Sequence, residues 1–258
     1  MSDTLKVTYF QTELFWESPQ DNRNKFEKLI EKYGKNTDLI VLPEMFTTGF
    51  SMNAEEIAES PQPTFEWMKK IAKNYQTAIT GSIMAKVDQH FFNRLLFVKP
   101  DGKYDVYDKK HLFSLAKEER IYTSGKEKIT INYKGWKICP MICYDLRFPA
   151  WSRNLEDYDL LIYVANWPEK RVRAWDILLK ARAIENMSYT IGVNRIGKDG
   201  KDFPYVGHSA VYDFLGEKIS QHPPEEEAVE TLTLDYPKLQ KSREKFGFLK
   251  DRDQFKIE

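Results

Sequence analysis

The strongest constraint on how this chain folds is a set of apolar runs that do not alternate. Asp38-Leu39-Ile40-Val41-Leu42-Pro43, Ile138-Cys139-Pro140-Met141-Ile142 and Asp159-Leu160-Leu161-Ile162-Tyr163-Val164-Ala165 are each close to continuously apolar. A strand with one wet face alternates polar and apolar residues, whereas a run of this kind is buried on both faces. Such strands need helices or a second sheet to cover them. Each run also stops abruptly at chemically capable residues: Glu44, Cys143 and Asn166.

Between these runs the chain supplies the covering elements. Ser18-Pro19 opens a helix to about Tyr33, with Phe26, Leu29, Ile30 and Tyr33 at helical spacing and Gly34 as its stop. Pro63 starts a second helix through Trp67, Met68 and Ile71. The longest runs from about Glu169 to Met187, with Val172, Trp175, Leu178, Leu179 and Ala183 on one stripe. Further strands are expected at 6–12, 77–83, 91–98, 103–107, 128–133, 190–194, 209–214 and 229–234, with turns at Lys99-Pro100-Asp101-Gly102 and Lys134-Gly135. Many strands with four or five helices describe a mixed sheet system of the α/β class.

No Ser/Gly/Pro-rich linker divides the 258 residues, so one domain over 1–258 is expected. Thirty-nine basic residues balance thirty-nine acidic ones without a long block of either sign, which argues against nucleic-acid and membrane-surface partners. No apolar run has the length of a membrane span, and the first residues lack the layout of a signal peptide. The two cysteines, four apart on one extended strand, are not expected to bridge. A reduced, cytoplasmic protein is the resulting expectation.

Three side chains share one context: Glu44, Lys109 and Cys143 each terminate a strand-like run, where sites gather in layered α/β folds. Together they are chemically coherent. A carboxylate accepts a thiol proton, a thiolate attacks a carbonyl or nitrile carbon, and an ammonium with a backbone N–H, here that of Tyr144, stabilises the oxyanion. Each also has a plain structural reading: Cys143 as a small buried residue, Glu44 as a loop cap, Lys109 and Lys110 as solvated charge. A Cys–His dyad through His111 or His208 competes with the Glu–Lys–Cys set on these grounds. His90, His111, His208 and His222 show no metal spacing and no Cys-x-x-Cys exists, so neither a metal nor a cofactor is expected.

Three blocks resemble the nitrilase, or carbon–nitrogen hydrolase, superfamily: Leu42-Pro43-Glu44-Met45-Phe46, Asp108-Lys109-Lys110-His111-Leu112-Phe113, and Ile142-Cys143-Tyr144-Asp145-Leu146-Arg147-Phe148-Pro149. The resemblance implies Glu44 as general base, Lys109 as oxyanion stabiliser, Cys143 as nucleophile, and Glu118 (or its neighbour Glu119) as a second glutamate that positions Lys109. Asp108 stands where Arg is more usual. His111 becomes a structural neighbour. Asn166-Trp167-Pro168 and the blocks at 47–52 and 144–154 look most like the ω-amidase branch, whose enzymes hydrolyse the terminal amide of short dicarboxylate monoamides such as 2-oxoglutaramate.

Such a substrate needs a cation for its far carboxylate, with Arg147, Arg171, Arg173 and Arg195 as candidates. Phe46, Asn166 and Trp167 complete the substrate-binding set that the resemblance implies. An N-carbamoyl amine, an aliphatic amide or a nitrile is the alternative substrate, and a catalytically silent interaction module is the alternative of another class. The implied fold is a four-layer α–β–β–α sandwich, and the implied assembly a homodimer or higher homo-oligomer.

Overall fold

The structure, a computed structural model, describes residues 2–257. Its first sheet has six strands in the order β13-β1-β2-β3-β4-β5: β1 (Thr4–Gln11), β2 (Leu39–Val41), β3 (Ala78–Val87), β4 (His90–Val98), β5 (Tyr104–Asp108) and β13 (Ala228–Asp235). The first three are mutually parallel, and the others join antiparallel. The second sheet has five strands in the order β12-β9-β8-β7-β6: β6 (Ile131–Tyr133), β7 (Trp136–Ile142), β8 (Leu160–Val164), β9 (Tyr189–Val193) and β12 (Ala210–Tyr212). Here β7, β8 and β9 are parallel. A separate two-stranded hairpin pairs β10 (Ile196–Lys198) with β11 (Pro204–Val206).

The continuous apolar runs are explained by where their two faces go. Leu39 and Val41 fall in the cluster between the sheets, with Ile138 and Ile142 of the second sheet. Ile40 and Leu42, from the same run, face the other way into a cluster with Phe26 and Ile30 of α1 (Pro19–Tyr33) and with Met68 and Ile71 of α3 (Gln62–Tyr75). The second sheet is covered by α5 (Val172–Asn186), through Trp175, Leu179 and Ala183. The layers therefore run helix, sheet, sheet, helix, as expected. Two short helices, α2 (Ala54–Ile57) and α4 (Pro149–Ser152), sit in connections. The C-terminal α6 (Tyr236–Phe246) docks through buried Leu239 and through Arg243, which donates to Asp159 at 2.8 Å.

Sequence periodicity located these elements to within a few residues, with two omissions, α2 and the hairpin of β10 and β11. Three-residue strands joined by a turn carry too little pattern to read. Cys139 is buried on the face of the second sheet that α5 covers, and Cys143 is partly exposed; both are free thiols.

Candidate active site

Glu44, Lys109 and Cys143 follow β2, β5 and β7, and the pairing of the two sheets brings these three strand ends together. Each is delivered differently. Lys109 is held by its backbone: its N–H donates to the Asn93 carbonyl at 3.0 Å and its carbonyl accepts from Gly125 at 2.8 Å. The second contact requires glycine, because a Cβ there would lie 2.0 Å from the Asp108 carbonyl oxygen. Asp108 forms a two-pronged ion pair with Arg94 across β4 and β5, at 2.7 and 2.8 Å. That pair accounts for an acidic residue at the position where Arg is more usual.

Cys143 ends β7 at a φ of +44°, in the left-handed region that L residues enter at a cost of about 1–2 kcal/mol. The chain then tightens into a 3₁₀ turn over Cys143–Arg147. Asp145, fully buried, holds this turn open: its carboxylate accepts from the N–H of Ile142 at 3.1 Å, the N–H of His111 at 3.0 Å and the Tyr107 hydroxyl at 2.7 Å. His111 Nδ1 also lies 2.8 Å from Asp145, and its ring stacks on Phe148 at 3.6 Å. His111 is thus committed to the underside of the turn, and His208 lies 3.1 Å from Asp176; neither lines the cavity above Cys143. Tyr144 stands in the first turn, where N–H groups lack an intrahelical acceptor, while its ring packs edge-on against Phe113 and Phe148.

The charged groups form one buried cluster. Glu44 and Glu118 are fully buried and Lys109 is 1% exposed. Lys109 Nζ donates to Glu44 at 3.1 Å and to both oxygens of Glu118 at 3.0 and 2.9 Å. Glu118 also accepts from the Phe113 N–H at 2.5 Å, whereas Glu119 is exposed. Burial works against the Lys109 charge, but Glu118 and then Glu44 outweigh it and raise the ammonium above the ordinary lysine range. Burial raises Glu118, which the facing Lys109 opposes and Glu44 reinforces. Burial and then the Glu44 charge push the Cys143 thiol well above the ordinary cysteine range, with Lys109 pulling the other way. At neutral pH the thiol keeps its proton in the free protein, beside a carboxylate placed to take it.

Above this cluster lies a small cavity lined by Phe50, Lys109, Phe113, Cys143, Tyr144, Arg147, Asn166, Trp167, Pro168, Arg171 and Tyr205. Asn166, after β8, donates its N–H to Glu44 Oε2 at 2.6 Å and its side-chain amide to the Glu44 carbonyl at 2.6 Å. Trp167 is clamped by Asn194, which accepts its N–H at 2.8 Å and donates to its carbonyl at 2.9 Å. Arg147 lies over the Trp167 ring at 5.0 Å and Arg171 over Phe113 at 4.9 Å. A wider depression between Pro149 and Phe255, with Arg153, Glu185 and Arg252, contains none of the candidate catalytic residues.

Not every expected residue lines the cavity. Phe46 does not. Met45 has a φ of +41°, which turns the next side chain away from Glu44, and Phe46 packs against Phe26 and Trp67 in the helix layer. Phe50, four residues on, takes the place near Lys109, at 5.0 Å. Arg195 is fully buried and donates to the Leu14, Ile196 and Lys198 carbonyls; Arg173 is exposed. Tyr205 reaches the cavity from the β10–β11 hairpin, which sequence reading did not identify.

A strand-end thiol, carboxylate and ammonium under a small cavity are the equipment of acyl transfer at a carbon–nitrogen bond. The chain belongs to the carbon–nitrogen hydrolase family, whose model matches residues 6–244. It is an enzyme acting on carbon–nitrogen bonds. It is 44% identical over 252 residues to the omega-amidase YafV of Yersinia enterocolitica, covering 98% of both chains. It is 33% identical over 226 residues to the 2-oxoglutaramate amidase of Bacillus subtilis, covering 85% of this chain and 87% of that one. The fold superimposes on the crystal structure of XC1258 from Xanthomonas campestris, a CN-hydrolase superfamily protein with an arsenic adduct in its active site. That match has a TM-score of 0.97 at 41% identity and covers all of both chains.

Proposed function

We propose that the protein is an ω-amidase, a thiol amidohydrolase that converts the terminal amide of a short dicarboxylate monoamide to the acid and ammonia. The observation that carries this reading is a pair of uncommitted guanidinium groups in the cavity wall. Among the described residues, the arginines in ion pairs are Arg23, Arg94, Arg182, Arg243 and Arg252. Arg147 and Arg171 are not among them, and both line the cavity on aromatic faces. A substrate with a carboxylate at its far end supplies the missing partner through charge-assisted hydrogen bonds.

Glu44 takes the Cys143 proton, and the thiolate attacks the amide carbon. Lys109 and the Tyr144 N–H stabilise the resulting oxyanion, while Glu118 holds Lys109 in place. Collapse breaks the C–N bond as protonated Glu44 gives its proton to the leaving ammonia. Water then loses a proton to Glu44 and attacks the thioester carbon; the second intermediate releases the carboxylic acid and returns the proton to Cys143. The balance closes without a cofactor.

The test is ammonia release across C4 and C5 monoamides of dicarboxylic and 2-oxo acids, with neutral aliphatic amides, nitriles and N-carbamoyl amines alongside. Highest kcat/KM on the monoamides, with an acyl adduct on Cys143 by mass spectrometry, is expected. Preference for a neutral or carbamoyl substrate would refute the assignment of the arginines. The exposed Ile177 and Ile184, one face of α5 seven residues apart, support a homodimer, which sedimentation tests directly.

A further inference from the structure

The Glu44 carboxylate has more hydrogen-bond donors than the candidate triad accounts for. Its Oε1 accepts from Lys109 Nζ at 3.1 Å and from Asn93 Nδ2 at 2.7 Å, and its Oε2 accepts from the Asn166 N–H at 2.6 Å. A carboxylate oxygen offers about two lone-pair directions. Both on Oε1 are occupied and one on Oε2 is open. Oε2 is also the oxygen tied to Asn166, whose carbonyl lies 4.0 Å from Cys143 Sγ.

Asn93 is a poor choice for folding alone. It sits in mid-strand on β4, opposite Met84, and is fully buried. Asparagine disfavours strands, and its Oδ1 is buried without a partner among the described residues. An apolar residue of similar shape would remove that orphaned acceptor. The same residue's carbonyl receives the Lys109 N–H at 3.0 Å, so one position on β4 touches both the base and the backbone that carries the ammonium.

We infer that Asn93 is a positioning residue for the amidase reaction: it fixes Oε1 of Glu44, so that Oε2 is the oxygen that shuttles the proton. The inference rests on the amidohydrolase reading above. During attack, Lys109 turns its hydrogen bonding to the oxyanion and its hold on Glu44 weakens. The Asn93 amide is neutral and its side chain is bonded to Glu44 alone among the described residues, so it keeps the carboxyl from rotating between taking the thiol proton and giving it to ammonia.

Two variants test this, each measured for kcat, KM, melting temperature and the rate of Cys143 alkylation by iodoacetamide. Asn93→Leu keeps the bulk and removes donor and orphaned acceptor together; Asn93→Ala removes both with a smaller side chain. We expect kcat to fall by about 10- to 100-fold in both with KM within threefold, as for a misaligned general base. Alkylation, which needs no substrate, should slow by a similar factor. The Asn93→Leu melting temperature should stay within a few degrees of the parent. A folded variant with kcat within twofold of the parent, a loss confined to KM, or unchanged alkylation overturns the inference. Should Asn93→Leu fail to fold, Asn93→Ala is judged by the same criteria. A parent protein that releases no ammonia from any amide of the panel fails the functional reading instead, and the alkylation rates still decide on Asn93.

Discussion

Cys139 and Cys143 are four residues apart on one strand and one turn, and burial raises the pKa of both thiols, that of Cys139 to about 12. Yet only one is equipped to react. Cys139 lies in extended backbone between apolar layers; Cys143 sits in left-handed backbone, partly exposed to a cavity, facing Glu44 and Lys109. A raised thiol pKa therefore does not separate a packing cysteine from the proposed nucleophile. What separates them is a base in reach, a cation for the developing charge and an opening to solvent.

The sharpest way to break this contrast is to remove each thiol in turn. Cys143→Ala should lower ammonia release by at least about 10³-fold. Cys139→Ala should leave kcat within about threefold and cost about 1 kcal/mol of packing, read as a few degrees in melting temperature. The next largest effect comes from the cation. Lys109→Met should lower kcat by about 10²- to 10³-fold. It also leaves two buried carboxylates facing each other, so thermal melting should show a loss of about 3–5 kcal/mol. Activity close to the parent in that variant would remove the electrostatic half of the contrast.

Smaller effects are expected at the cavity wall. Arg147→Gln and Arg171→Gln should each raise KM for dicarboxylate monoamides by about tenfold or more, the worth of one charge-assisted hydrogen bond. Turnover of a neutral amide should hardly change. Alkylation against pH gives the finest discrimination. Since both thiols hold their protons, the native chain should take one carbamidomethyl group, on Cys143, at a rate that climbs with pH. Cys139 should stay unmodified until the chain unfolds. The sign carries over to stability: the folded state binds these protons more tightly than the unfolded one. Their contribution is complete below the ordinary thiol value of about 8.5 and is lost as pH rises, for Cys139 toward about 12.

The sequence was most readable where chemistry interrupts a pattern. Glu44 and Cys143 stood out because each ends a run whose burial is legible from composition alone, and Lys109 because it ends a strand-like run. Glu118 came from the spacing of a family resemblance, and its full burial beside Lys109 distinguishes it from Glu119. Asn93 left no such mark: one polar residue inside a strand reads as ordinary variation, and its contact with Glu44 spans 49 positions. Phe46 was misplaced because adjacency in sequence says nothing of direction once Met45 turns left-handed. Tyr205 was missed with the three-residue strand that carries it. The layers and the parallel strand ends were thus open to sequence reading, while the cavity walls depended on backbone reversals that side-chain periodicity does not record.

The left-handed backbone at Cys143 has a mechanical consequence. The strand end is cocked like a spring: the geometry that presents the sulfur to Glu44 is one that glycine would adopt without strain and cysteine does not. Along the mutational landscape, loss of the proposed nucleophile and gain of robustness therefore point the same way. On the proposed mechanism, a chain with Cys143→Gly would trade catalysis for a relaxed turn.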